Sequence, residues 1–281
     1  MGFRRFKISR SVVYLLLVFW TVVQLYPLVY MFLSSLKTER QIMFDPWGLP
    51  HPISLTNFVD VWNGTTGDVT FGRFFVNSII VTSGTLLILN VTSLLCGYAL
   101  AKYRFPGRNI VYMLMICFIA VPIHSLLIPV FLFLQSLDLL NSLVAMMLIY
   151  SAFNLPFSVI IMKSYYELIP HEIEEAAMVD GCEGLGVFLH VGVPMSRGVI
   201  STITIVNLTS VWSEFMFASI LLTKTRARTL PVAISMFNSS MYNSSIGALM
   251  AGIALASIPL LVMYFMFQKQ IVRGIAVGAI R

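Results

Sequence analysis

Six of the 12 acidic residues in this 281-residue chain lie in one short stretch between two long apolar runs. The stretch reads ELIPHEIEEAAMVDGCEGLGVFLHVGVP and extends from Glu167 to Pro194. The six acids are Glu167, Glu172, Glu174, Glu175, Asp180 and Glu183. A polar insert between two runs of membrane-spanning length must lie in water. The chemistry that this stretch offers is therefore that of exposed carboxylates.

The spacing within the stretch predicts a short helix that ends at Asp180. Pro170 suits the first turn of a helix, where its missing N–H costs nothing. Glutamates in the first turns are favoured by the helix dipole. Gly181 is the residue best able to form a left-handed cap after the helix.

The second half of the stretch predicts another helix, from Glu183 to His190, that ends before Pro194 because proline breaks a helix interior. Ala176 and Ala177 are small, so this face of the first helix allows another backbone to approach closely. We expect the whole segment 167–197 to be one polar loop.

No catalytic or metal-binding set is evident in the sequence. The three cysteines and four histidines are dispersed without metal-ligand spacing, and no Ser/His/Asp set lies on a plausible shared face. The Gly-x4-Gly-Lys-Ser/Thr loop that cradles nucleotide phosphates is absent from the sequence. The sequence therefore predicts no catalytic residue, no metal site and no cofactor in this chain, and energy must come from a partner.

The composition indicates an all-α integral membrane protein. The chain is 58% hydrophobic and 11% charged, whereas soluble domains carry about 25% charged residues. Its length suits about six helices of ~20–25 residues, which we assign to a single domain, 1–281. The predicted spans are 11–36, 74–101, 109–134, 143–166, 198–222 and 246–267. Pro122 and Pro129 predict a kink in the third span.

The basic residues predict that both termini are cytoplasmic. With six spans, 12 of the 18 Lys and Arg residues lie on the side of the termini and of the acidic loop. This bias agrees with the positive-inside rule. It also explains the net charge of +6 without nucleic acid as a partner. We expect a multi-pass protein of the cytoplasmic membrane of a prokaryote.

Two polar residues within the spans are candidates for lining a translocation path, because charged and polar groups inside a membrane often mark function. Glu214 lies in the outer part of the fifth span, and Asn77 near the start of the second. Hydrogen bonding between helices is the other use of such residues. The sequence leaves both roles open.

The acidic loop resembles that of the permease subunits of binding-protein-dependent ABC importers. The family pattern is Glu-Ala-Ala, three residues, Gly, nine residues, then Ile-x-Leu-Pro. It falls here on Glu175, Ala176, Ala177, Gly181, Val191, Val193 and Pro194, with two valines in place of Ile and Leu. The ending Gly-Ala-Ile-Arg is similar to that of maltose-type permeases, which indicates the carbohydrate type. The resemblance implies the MetI-like type I permease fold.

The resemblance also implies partners. They are a second homologous permease, two ATPase subunits that bind ATP and magnesium, and an extracytoplasmic solute-binding protein. The loop would lie in a cleft of an ATPase subunit and act as its coupling helix. Glu175 would pair there with a basic group, and Gly181 would form the bend. The expected coupling residues are Glu175, Ala176, Ala177, Asp180, Gly181 and Pro194.

A polar tract between the fifth and sixth spans is a second candidate contact. In maltose-type relatives the equivalent loop enters the sugar cleft of the binding protein. The residues are Asn238, Ser239, Ser240, Met241, Tyr242 and Asn243. A surface linker is the alternative interpretation.

The expected function is therefore that of a permease subunit forming half of the path for a sugar or oligosaccharide. Glycerol-phosphate or another solute is an alternative within the same class. An autonomous ion-coupled secondary transporter is the alternative from another class, but such carriers show inverted repeats and several ionisable groups inside the membrane.

The predicted topology places Cys182 inside and Asn243 outside. In a background lacking Cys96 and Cys117, an impermeant thiol reagent added to intact cells should leave Cys182 unlabelled. The variant Asn243→Cys, with Cys182 also replaced, should react under the same conditions. Labelling of Cys182 from outside an intact cell would contradict the topology.

Overall fold

The computed structural model describes residues 10–63, 65–66, 69–236 and 245–279, and it is almost entirely helical. The helices before the acidic loop are α1 Arg10–Ser35, α2 Glu39–Phe44, α3 Thr56–Asn63, α4 Phe71–Lys102, α5 Arg108–Ile119, α6 Leu127–Ser136 and α7 Leu143–Tyr166. The later helices are α8 His171–Val179, α9 Leu185–Val187, α10 Val193–Met195, α11 Arg197–Trp212, α12 Met216–Leu221, α13 Leu230–Met236 and α14 Ile246–Ala279. Two short strands, β1 Thr65–Thr66 and β2 Val69–Thr70, precede α4. The predicted all-α membrane fold is confirmed.

Within the described residues, α1, α4, α7 and α14 are each long and apolar enough to cross a membrane. Two bent pairs of helices are long and apolar enough only when each pair is taken together. Arg108–Ile119 and Ile123–Ser136 meet at 95°, and Leu185–Met195 and Arg197–Trp212 meet at 71°. Six crossings result if each bent pair is one span.

The bend in the third span is much sharper than a kink. Its cause is Pro122, which has an extended backbone (ψ 109°) and begins a short 3₁₀ turn, Ile123–Leu126. Proline removes a backbone donor and disfavours helical geometry at the residue before it. Pro129 lies inside α6, where it does not interrupt the helix.

Residues 198–222, the predicted fifth span, do not form one continuous helix. Helix α11 ends at Trp212, and α12 begins at Met216. Between them, the Glu214 carboxylate accepts hydrogen bonds from the backbone N–H groups of Phe217 (2.8 Å) and Ala218 (3.1 Å). The Tyr150 hydroxyl of α7 donates a third hydrogen bond to it. A carboxylate that binds the first N–H groups of a helix starts that helix, and here it replaces the continuous turns that the apolar run favours.

The predicted break before Pro194 is also wrong. The chain passes from α9 through a π-helical turn, Phe188–Gly192, into α10, and Pro194 is the second residue of that helix. The bend comes two residues later, at Ser196, which is fully buried.

The chain divides into two compact units. One contains residues 1–66 and 234–257, and the other contains residues 67–233 and 258–281. In the first unit the ammonium group of buried Lys37 donates to the carbonyls of Asp45 (3.0 Å) and Pro46 (2.8 Å). The Asn57 amide donates to the carbonyls of Ser35 and Lys37. These contacts hold the segment that follows α1.

In the second unit, α4 packs along α7 over most of its length. A Cβ atom placed on Gly97 would lie 2.6 Å from Cβ of Met162 and 3.1 Å from the backbone N of Lys163, so only glycine allows this approach. Helix α11 is joined to the pair by hydrogen bonds between Asn90 and Thr204 (3.0 Å) and between Asn207 and Ser158 (2.9 Å). Small residues and paired polar side chains are the usual means of association between membrane helices.

Asn77 also has a structural contact in this unit. It is 1% exposed, and its Nδ2 donates to the carbonyls of Arg226 and Arg228, each at 2.9 Å. The neighbouring Ser78 hydroxyl accepts from the backbone N–H of Leu230 at 2.8 Å. The start of α4 therefore holds the turn that precedes α13.

The geometry at Glu214 predicts a structural effect on replacement. Glu214→Ala removes the acceptor of two backbone N–H groups and the partner of Tyr150. Loss of a helix cap costs about 0.5–2 kcal/mol, and a buried hydroxyl left unpaired adds about 1–3 kcal/mol. Glu214→Gln retains an acceptor and should lose less stability than Glu214→Ala.

Thermal unfolding of the detergent-solubilised protein measures this difference. Tyr150→Phe is the matched control, because it removes only the third hydrogen bond and should fall between the wild type and Glu214→Ala. An unfolding temperature of Glu214→Ala equal to that of the wild type would contradict the capping role.

Candidate functional site: the loop between α7 and α11

Helix α8 begins and ends close to the predicted residues. Pro170 is its N-cap, and Asp180 is its C-cap. Gly181 has φ +91°, its N–H donates to the Met178 carbonyl (3.1 Å), and the Cys182 N–H donates to the Ala177 carbonyl (2.9 Å). These two bonds form a Schellman motif, which requires a residue that tolerates positive φ. The bend after α8 is therefore built from the glycine that the sequence indicates.

The outer face of α8 carries Glu175, which is exposed. Among the described residues, no ion pair is formed by this carboxylate. Val179 at the end of the helix is 87% exposed and Met178 is 53% exposed. A free carboxylate beside uncovered apolar side chains is a surface suited to contact with another protein.

The remaining predicted coupling residues lie around this face. Ala176 and Asp180 are exposed, and Ala177 is half-buried. Leu185, in α9, is 69% exposed and extends the apolar surface beyond the bend. Pro194 is exposed in α10, on the other side of the π-helical turn.

The inner face of α8 carries Glu174, which the sequence did not single out. This residue is 8% exposed, although its neighbour Glu175 lies in solvent. The Tyr98 hydroxyl donates to its Oε1 at 3.1 Å, and Nζ of Lys102 lies 3.4 Å from its Oε2. Nδ1 of His171 lies 3.5 Å from the same Oε2. One signal was available in the sequence: successive helical residues point about 100° apart, so two adjacent glutamates cannot both face the same partner.

The rest of the loop rests on the ends of α4 and α7. The Tyr98 ring lies 5.2 Å from that of Tyr166 and 5.0 Å from that of Phe188, between ring centroids. The Tyr166 hydroxyl is 3.2 Å from Oγ of Ser196. The Tyr165 hydroxyl donates to the Met195 carbonyl at 2.6 Å. The segment before α11 is thus held on α7 by hydrogen bonds and by packing.

A second ionic group lies at the start of the loop. Glu167 pairs with Lys163 (2.6 Å) and with Arg108 (3.7 Å). The Lys163 ammonium also lies 4.3 Å from the centroid of the Tyr112 ring. These contacts join the first turns of α5 to the last turn of α7.

The other predicted site residues are placed elsewhere. Asn77 and Glu214 bind backbone groups, as described above, so their contacts are those of residues that hold connections between helices. The tract Asn238, Ser239, Ser240, Met241, Tyr242 and Asn243 lies outside the described residues. Within the described part of the chain, no group of three or more His, Cys, Asp or Glu side chains is arranged to hold a metal.

Comparison with known proteins identifies the family. Residues 90–277 match the family model for the inner membrane component of binding-protein-dependent transport systems. The chain is 31% identical to the diacetylchitobiose uptake system permease protein NgcG of Streptomyces coelicolor, over 99% of this chain and 90% of that protein. It is 30% identical to the trehalose/maltose transport system permease protein MalG of Thermococcus litoralis, over 92% of each chain.

A solved structure shows the same fold. It is a bacterial ABC transporter involved in the import of the acidic polysaccharide alginate, with a TM-score of 0.79 and 24% identity to this chain. The similarity covers 96% of this chain and 99% of the other. The autonomous ion-coupled carrier that the sequence left open is not what this family contains. The chain belongs to the family of binding-protein-dependent transport system inner membrane components, and it is a permease subunit of an ABC importer.

Proposed function

We propose that this permease forms half of the translocation path for a sugar or oligosaccharide. Similar proteins are named for the uptake of diacetylchitobiose, trehalose and maltose, and arabinooligosaccharides. The sequence similarity to each of them extends along nearly the whole of this chain. The second half of the path is a homologous permease subunit, and an extracytoplasmic binding protein delivers the solute.

The observation that carries the coupling role is the outer face of α8. Glu175 has no ion-pair partner among the described residues, and Val179 beside it is almost fully exposed. In a membrane protein of this family such a face fits a cleft of an ATPase subunit that offers a basic group. ATP and magnesium are bound by two such subunits, and this chain binds no cofactor. Both termini and the loop lie in the cytoplasm, where the ATPase subunits are.

The position of each coupling residue indicates its role. Glu175 forms the charged contact, and Ala176 and Ala177 allow close approach. Asp180 and Gly181 end the helix and form the bend, and Pro194 begins the segment that leads back to the membrane. A rigid-body movement of the ATPase subunits is transmitted through this helix to the spans.

The tract Asn238–Asn243 contacts the binding protein on the outer side. Its small polar side chains suit a sugar site, and it connects α13 with α14 outside the membrane. Asn77 and Glu214 serve this path indirectly, because they hold the turns at the outer ends of α4 and α11.

Glu175→Lys tests the coupling role. The residue is exposed, so its replacement should change the free energy of unfolding by no more than about 0.5 kcal/mol. Loss of one partner of a buried charge pair at an interface costs about 2–5 kcal/mol, which weakens binding about thirtyfold or more. We therefore expect normal membrane levels but little ATPase subunit in the complex purified through this chain.

Glu183→Lys is the matched control, because it makes the same charge change in an exposed residue outside α8 and should retain the ATPase subunits. Glu175→Ala should have a smaller effect than Glu175→Lys, since it adds no like-charge repulsion. A Glu175→Lys complex with normal ATPase content and wild-type ATP-driven transport would overturn the assignment of this helix.

Deletion of 238–243 tests the outer contact. Ser245 must be kept, because its hydroxyl accepts from the Ala248 N–H (3.2 Å) at the start of α14. The shortened protein should assemble with its partners, but the stimulation of ATP hydrolysis by the loaded binding protein should be lost. A shuffled tract of the same length is the control for chain length. Unchanged stimulation in the deletion variant would make the tract a linker only.

A further inference from the structure

The contact between Glu174 and Lys102 is unusual for a loop that lies in water. The two side chains are 10% and 5% exposed and come from residues 72 positions apart in the sequence. Removing a carboxylate and an ammonium from water is costly unless both are well paired. A solvated helix that only had to reach a partner would not require such a pair.

Both members of the pair have further partners. Nζ of Lys102 donates to the Ile169 carbonyl at 2.7 Å, just before α8 begins. The second oxygen of Glu174 accepts from the Tyr98 hydroxyl at 3.1 Å. Tyr98 and Lys102 are four residues apart on α4, so they lie on one face of that helix. The last turn of α4 therefore holds the chain just before α8 and the middle of α8 itself.

The neighbouring glutamates give α8 two opposed roles. Glu175 is directed to solvent, where the ATPase subunit is proposed to bind, whereas Glu174 is bound to α4. Helix α8 is also joined to α7 by the chain, through the four residues 167–170. Without the contact to α4, movement of α8 would reach the spans through that short connection to α7 and, at its other end, through the segment 180–196 that leads to α11.

We propose that Glu174 is a positioning residue that makes α8 and α4 move as one body, so that force applied at Glu175 enters the membrane through α4. This inference rests on the proposed coupling role of α8. The close packing of α4 on α7 at Gly97 then carries the movement from α4 to α7.

The distance between α8 and α4 in the assembled complex tests the proposal. Spin labels are attached to cysteines at Ile173 on α8 and Leu95 on α4, which are 38% and 43% exposed, in a background in which Cys96, Cys117 and Cys182 are replaced. The distance is measured by electron paramagnetic resonance without nucleotide and with ATP, magnesium and vanadate. In the otherwise wild-type complex we expect one narrow distance that nucleotide does not change.

In Glu174→Ala we expect the ATPase subunits to remain bound, because the face of Glu175 is intact. Nucleotide should then shift the distance by more than the about 1–2 Å typical of helix shifts at interfaces. Glu172→Ala is the matched control, since it removes an exposed carboxylate from the same helix and should behave as the wild type. If Glu174→Ala does not reach the membrane, Glu174→Gln replaces it with the same expectation, since it removes the charge at nearly constant volume.

The outcomes separate the inference from the function on which it rests. A wild-type complex that contains no ATPase subunit refutes the proposed coupling role itself. A complex with ATPase subunits in which nucleotide changes the wild-type distance overturns the inference alone. So does a nucleotide-independent distance in Glu174→Ala. If the distribution of that distance in Glu174→Ala broadens equally with and without nucleotide, Glu174 has only a structural role, and the inference is again overturned.

Discussion

A charged or amide side chain that leaves water must find a partner, and in this chain that constraint decides how the connections between helices are held. Lys37 satisfies two carbonyls after α1, and Asn77 satisfies two before α13. Glu214 binds the first N–H groups of α12. In each case a polar side chain binds backbone groups that no regular helix satisfies. The apolar runs build the helices, and these few polar groups hold the connections between them.

The same constraint separates the two faces of α8. Glu174 is buried and has three partners, Tyr98, Lys102 and His171. Glu175 keeps its hydration in this chain and can lose it only at an interface that supplies a cation. An exposed carboxylate costs little in the free subunit and gains its contact on assembly. In the proposed coupling role, this difference in desolvation lets two chemically identical neighbours bind different partners.

The packing of α4 on α7 gives the loop a firm base. Gly97 allows the two backbones to approach, and Tyr98 beside it reaches the rings of Tyr166 and Phe188. The loop therefore stands on the ends of two helices that cannot slide apart without opening this contact. Helix α11 joins the same group through Asn90–Thr204 and Asn207–Ser158 hydrogen bonds. We expect a packed group of this kind to move as a body, because well-packed interiors resist continuous deformation.

The sequence by itself determined the all-α membrane fold, the family and the end of α8. Apolar runs of spanning length have few alternatives to helices in a membrane, and Gly181 forms the left-handed cap because glycine alone carries no Cβ penalty there. These are local properties, readable from residue type and spacing.

Only the tertiary structure decided which glutamate is buried, where the fifth span breaks and how sharply the third one bends. Burial of Glu174 depends on Lys102 and Tyr98, which reach it from another helix. The break at Glu214 involves Tyr150 of α7, and the passage of the helix through Pro194 depends on a π-helical turn that no residue type specifies. For Glu174 and Glu214 the deciding partner is distant in the chain, and the cost of leaving a buried polar group unpaired acts only once the helices have come together.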